Sequence, residues 1–335
     1  MLSFINKLHF NRYLIVWRVN SSLAFFPRFF SLDLSMVIGS IIANRLPTKE
    51  LGPWRKAIAP LEEHLRKRAQ TNNSTRIPVP DISWPLHSVL FVYPSKRTFS
   101  RNELIIWELK LFGEHADHGM FLEVILPAME EASYTTNPKW NRRNRIWGHF
   151  DIQSVFIARG HQWEPIVQDG RLNLRYQAKP TQWLEGLQLK PNVRARFRNL
   201  VWLTPYEFGG ISPEETGFLI DGKLPPLAEK NAPTMARLFI ELALRMRELS
   251  SRRLNGLKLL DESDREKFLE NYEKASTIPF VTSNMRPAPA SWPGRWLGSQ
   301  RFASIPSSIV PYLELASILH IGKLPHFGCG TFLIA

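Results

Sequence analysis

The stretch that decides the fold closes the chain, residues 311–335: PYLELASILHIGKLPHFGCGTFLIA. Leu313, Leu315, Ile318 and Leu319 form an apolar lead-in that reads as a short helix. Thr331-Phe332-Leu333-Ile334 reads as a β-strand. Between them run His320-Ile321-Gly322-Lys323, Leu324-Pro325-His326 and Phe327-Gly328-Cys329-Gly330. Gly322, Gly328 and Gly330 permit backbone conformations that side chains forbid. Such a loop can turn several N–H groups toward an anion, and Lys323 adds a charge. From the glycines alone, a turn between two core elements fits as well.

Composition points the same way. The chain of 335 residues suits two domains, and a hydrophobic fraction of 44% with 11 tryptophans is ample for their cores. A net charge of +13 calls for a polyanionic partner, either nucleic acid or an anionic membrane surface. The single cysteine, Cys329, excludes an internal disulfide and any cysteine-rich zinc site, and it fits a reducing cytoplasm. No apolar run approaches the roughly 18 residues of a membrane span. Residues 1–32 lack acids, which raises a transit peptide as one reading, but Phe10, Tyr13, Trp17, Phe25 and Phe26 look more like a strand and its loop.

Upstream, Lys7 to Val19 reads as a strand, with Leu14-Ile15-Val16-Trp17 at its centre. A helix through Val37, Ile38, Ile41 and Ile42, capped by Asp33 or Ser35, ends before Pro47. Ala57 to Gln70 is a second helix; Ser88 to Tyr93 and Leu104 to Phe112 are partner strands. Glu114-His115-Ala116-Asp117-His118 holds metal-ligand residue types but reads as a polar loop. Phe121 to Ala132 is an amphipathic helix, and Phe150 to Ile157 a returning strand. Between them lies Lys139-Trp140-Asn141-Arg142-Arg143-Asn144-Arg145-Ile146-Trp147, with cations for phosphates and rings for unstacked bases. A solvated hairpin tip anchored by tryptophans fits that stretch equally well.

In the second half, Val193 to Leu203 reads as a strand with Arg194, Arg196 and Arg198 on one face. Like charges in a row call for an anion over them; an ordinary solvated strand face is the other reading. Thr234 to Arg253 is the clearest helix, with Met235, Leu238, Phe239, Leu242, Met246 and Leu249 at helical spacing. Its arginines, Arg237 and Arg245 among them, read equally as solvated or RNA-facing. Asp261 to Lys274 is a charged helix, and Arg295 to Phe302 a strand.

The terminal pattern resembles the C-terminal glycine-rich loop of the RAMP superfamily of CRISPR proteins. Within it, the pre-crRNA-processing endoribonucleases (the Cas-six family) often end in H-x-G-K-x-x-x-F-G-x-G and a last strand. Here His320, Gly322, Lys323, Phe327, Gly328 and Gly330 fill that pattern. Leu109, Leu111 and Gly113 match a family phrase L-x-L-x-G, and Trp202-Leu203-Thr204-Pro205 resembles F-x-T-P with Trp in place of Phe.

The resemblance implies an α+β chain of tandem ferredoxin-like (RRM-like) domains, residues 1–160 and 161–335, with the glycine-rich loop at 320–330. It implies CRISPR repeat RNA as partner, with other CRISPR effector subunits, and one cut per repeat that needs no metal or other cofactor. In that cut the ribose 2′-hydroxyl attacks the adjacent phosphate. The step takes a base, an acid and a cation, for which His326, His320 and Lys323 are the candidates. Gly322, Gly328, Gly330, Arg194, Arg196, Arg198, Arg142, Arg143, Arg145 and Trp140 are the candidate RNA contacts. One departure stands out. Many relatives place the catalytic histidine in or before the first helix, and this chain has none between Phe10 and Glu63. The alternative is therefore a non-catalytic RAMP subunit that binds crRNA in an effector complex. A third reading is a basic organellar or membrane-surface protein whose glycine loop is a mere turn.

Overall fold

Asn11, Tyr13, Ile15, Trp17 and Val19 are buried along Phe10–Val19 (β1), while Arg12, Leu14 and Arg18 between them are not. Burial with a period of two marks a strand with one covered face. Rings seal that face: Trp17 stacks on Phe150 at 3.6 Å between centroids, and Tyr13 on Phe121 at 3.9 Å. The computed structural model describes residues 3–27, 29–70, 76–93, 96–135, 148–187, 197–209, 232–249 and 260–335.

After β1 come helices Ser31–Arg45 (α1) and Thr48–Gln70 (α2). Strands Ser88–Val92 (β2) and Leu104–Phe112 (β3) follow, then helix Leu126–Tyr134 (α3). Strands Phe150–Arg159 (β4), Gln162–Gln168 (β5) and Arg171–Leu172 (β6) complete the series. They form an antiparallel sheet in the order β2-β3-β1-β4-β5-β6. The β-α-β-β-α-β succession with its fourth strand beside the first and its third beside the second is a ferredoxin-like unit. It comprises His9–Leu187 together with His326–Gly328. Gly160, where the sequence marks a domain boundary, lies in the β4–β5 turn with φ +58°.

Local departures have simple causes. Helix α1 starts at Ser31, with Phe30 before it and no side-chain cap. Asp33 and Ser35, read as caps, therefore lie inside it. Phe121–Ile125 is a π-helical turn and α3 restarts behind it, so Pro127 sits in the first turn of α3, where its missing N–H costs nothing.

The second unit comprises Met1–Leu8, Gln188–Pro325 and Cys329–Ala335. Its elements are Phe197–Trp202 (β7), Met235–Leu249 (α4), Glu262–Ser276 (α5), Phe280–Ser283 (β8), Ser299–Ile305 (β9), Val310–Leu319 (α6) and Phe332–Ile334 (β10). The antiparallel order β8-β9-β7-β10 repeats the ferredoxin-like arrangement. Gly298, at φ +146°, separates β9 from a short strand at Trp296–Leu297, which splits the single strand read there from sequence. The apolar stripe of α4 is buried throughout, and Phe239, Phe268 and Tyr312 cluster at 5.2–5.6 Å. The 3-10 turn Ser3–Lys7 adds Phe4, whose N–H donates to Asp264 Oδ2 at 2.9 Å. Among the described residues, no helix is long and apolar enough to cross a membrane.

Candidate functional site: the terminal loop

In the second unit, α6 stops at Leu319 because His320 turns to φ +59°, a conformation rare for a side chain of this size. The His320 ring compensates: it is 0% exposed, and its Nδ1 lies 3.1 Å from Cys329 O, so the ring nitrogen donates. Ile321 N donates to Gly330 O at 3.2 Å, Lys323 N to Glu207 O at 2.7 Å, and Gly330 N to Pro205 O at 3.0 Å. Thr331 N donates to Thr204 Oγ1 at 3.2 Å. These four N–H groups are therefore spent on holding the loop rather than turned toward an anion. A Cβ on Gly330 would sit 1.8 Å from Ile321 O, and one on Gly322 would sit 2.8 Å from Glu207 O. Both positions take positive φ and admit only glycine. The Lys323 side chain is exposed.

Two arginines of α4 lie behind this loop. Arg237 is 5% exposed, pairs with Glu241, and donates from Nη2 to Gly209 O at 2.7 Å. Arg245 is 4% exposed and donates from Nε to Leu319 O at 3.0 Å. The sequence left them open between solvent and RNA; both are buried against the backbone.

The remainder of the loop belongs to the first unit. His326 is 2% exposed, and its two ring nitrogens meet two serines. Nε2 is 2.7 Å from Ser35 Oγ; Nδ1 is 3.0 Å from Ser88 Oγ and 3.3 Å from Ser88 O. A carbonyl only accepts, so Nδ1 carries a proton. In the neutral ring Nε2 is then the acceptor and Ser35 Oγ–H the donor. The Trp84 ring stands edge-on to the imidazole at 5.3 Å, and Trp84 Nε1 donates to Ser35 O. Ser31 Oγ donates to Phe327 O at 2.8 Å, and a Cβ on Gly328 would be 2.6 Å from Leu90 O. Neither Ser35 nor Ser88 is marked by the sequence as a partner of His326, because no local pattern couples positions so far apart. His326 thus brings an imidazole to the first helix, the place where the sequence has no histidine of its own.

The other candidates separate. Arg198 is exposed, but Leu200 and Trp202, of the same strand parity, are buried. Arg198 N and Asn199 N both donate to Ala335 O, a bulge that breaks the alternation and leaves both side chains exposed. Arg194, Arg196, Trp140, Arg142, Arg143 and Arg145 lie outside the described residues. His118 is buried beside Tyr13, with Nδ1 3.2 Å from its hydroxyl; burial holds its pKa below the usual histidine value. Asp117 caps the turn beneath it, accepting from Gly119 N and Met120 N. Among the described residues, no group of three or more His, Cys, Asp or Glu side chains is placed to hold a metal ion.

No protein-family model matches the sequence, and no curated protein sequence matches it. Solved structures do match in fold. A partial Cas6-RT-Cas1–Cas2 complex superposes with a TM-score of 0.52 at 7% identity, over 98% of this chain and 46% of that one. A further Cas6-RT-Cas1–Cas2 complex gives 0.52 at 7% identity, over 98% and 29%. This chain therefore spans less than half the length of either. Cas6 from Thermus thermophilus matches over 98% and 99%, at 10% identity and a TM-score of 0.44. The likeness is one of fold: the tandem ferredoxin-like units of this chain superpose on part of each Cas6-RT-Cas1–Cas2 structure.

Proposed function

We propose that this protein binds CRISPR repeat RNA and processes it by one metal-independent cut, through attack of a ribose 2′-hydroxyl on the adjacent phosphate. The observation that carries this reading is the terminal loop: a backbone held by its own hydrogen bonds presents Lys323 outward from a Cas6-like fold. Lys323 supplies positive charge to the crowded phosphate. His326, its Nε2 an acceptor in the neutral ring, is the proposed base or acid once Ser35 releases it; His320 is the loop-supporting partner. Partners in this reading are the repeat RNA and other CRISPR proteins.

A second reading, a non-catalytic subunit that holds crRNA, is favoured by the burial of His320 and His326, whose ring nitrogens meet Cys329 O in the one case and the Ser35 and Ser88 hydroxyls in the other. Incubation with labelled repeat RNA in EDTA separates the two. A single cut, abolished by a 2′-deoxy residue at the cut site, is the expected outcome. Tight binding without a cut would select the second reading, and neither binding nor cutting would reject both.

A further inference from the structure

We infer that Arg237 is a positioning residue that aims Lys323, and that α4 serves as the frame of the terminal loop. The inference rests on the RNA-binding reading. Arg237 and Arg245 are two helical turns apart on one side of α4, and both are buried. Arg245 holds Leu319 O, the last helical residue before His320. Arg237 holds Gly209 O and lies over the Phe208 ring at 5.4 Å.

Segment 207–209 is what Lys323 leans on. Lys323 N donates to Glu207 O. A Cβ on Gly322 would meet the Phe208 ring at 2.9 Å, and one on Gly209 would lie 3.3 Å from Lys323 Cε. The line from Glu241 through Arg237 and Phe208–Gly209 to Lys323 is therefore continuous, and every contact in it lies in the second unit. The planar guanidinium makes the ion pair, the carbonyl bond and the ring contact together; an ammonium group reproduces the charge but not that geometry. Among the described residues, Arg237 Nε is buried and finds no hydrogen-bond partner.

The test compares Arg237→Lys, Lys323→Ala and the double variant. Repeat-RNA affinity is measured across salt concentrations, amide exchange of residues 320–323 by mass spectrometry, and melting as a control. Arg237→Lys should weaken binding about tenfold, as for loss of one charge-assisted hydrogen bond. It should also lower the salt slope by about 0.7, one phosphate contact on a single strand. The double variant should bind no more weakly than Lys323→Ala alone. Additive losses, or lower melting with unchanged affinity and slope, would overturn the inference. If the wild type binds no RNA, the functional reading fails while exchange still decides the positioning: faster exchange at 320–323 alone supports it, and unchanged exchange rejects it. Should Arg237→Lys not fold, Phe208→Leu interrupts the same line and is read the same way.

Discussion

The two ferredoxin-like units share a strand order and hold it by different means. In the first, β1, β3 and β4 run for 10, 9 and 10 residues, and their covered face is closed by stacked rings. In the second, the four strands run for only 6, 4, 7 and 3 residues. Directional bonds to buried polar groups tie that shorter sheet in place. Gln300 Nε2 donates to Pro233 O and its Oε1 accepts from Trp202 Nε1; Ser317 Oγ lies 2.8 Å from Thr331 Oγ1. Arg237, Arg245 and Asp264 add three more buried anchors. Apolar area tolerates small shifts, whereas hydrogen bonds fix position. The unit carrying Lys323 adds the second kind of interaction to its apolar core.

That contrast is open to direct attack. The largest effect belongs to Gly330→Ala: the new Cβ falls 1.8 Å from Ile321 O, backbone that no rotamer change can clear. It should cost more than about 4 kcal/mol, read by urea denaturation. A cost near that of an ordinary surface change would mean the loop does not hold the second sheet. Trp17→Ala follows, expected to lose about 3–5 kcal/mol through the cavity beside Phe150 and Trp107. A smaller loss would show that rings are not what closes the first sheet.

The third effect is a gain. Asp33 is a buried charge of the first unit, and burial pushes its carboxyl up to about 6, outweighing the attraction of Arg68 and a backbone hydrogen bond. The folded chain binds that proton more tightly than the unfolded chain. Stability from this group is thus fully present below about pH 4 and is lost as pH rises through about 6, by about 3 kcal/mol at most. Asp33→Asn should raise the melting temperature at pH 7.5 and leave it unchanged at pH 4. An equal gain at both would assign the effect to packing instead.

How much of this was legible in the chain depends on distance along it. The strand and helix succession was readable because alternation and helical spacing are local: β1, β3, α4 and the terminal helix and strand lie where their apolar patterns put them. The terminal loop was readable because its glycines are clustered. Arg237 and Arg245 were not, because charge argues for solvent until a partner such as Gly209 O or Leu319 O is known. His326 with Ser35 and Ser88 is the extreme case, since the hydroxyls lie 291 and 238 residues away. Arg198 shows the limit of alternation itself, which a single bulge resets.

The second unit takes both Met1–Leu8 and Cys329–Ala335 from the chain, and this has a consequence for synthesis on the ribosome. Phe4 leaves the exit tunnel long before its anchor, Asp264, which is 260 residues later. At roughly 5–20 residues per second, that is a delay on the order of tens of seconds. Over that interval residues 9–187 are available to fold, while Phe4, Ile5 and Leu8 wait as an unplaced apolar segment. Phe4, Ile5 and Leu8 are thus made well before their partners and are among the last to find their place, a period in which a chaperone has something to hold.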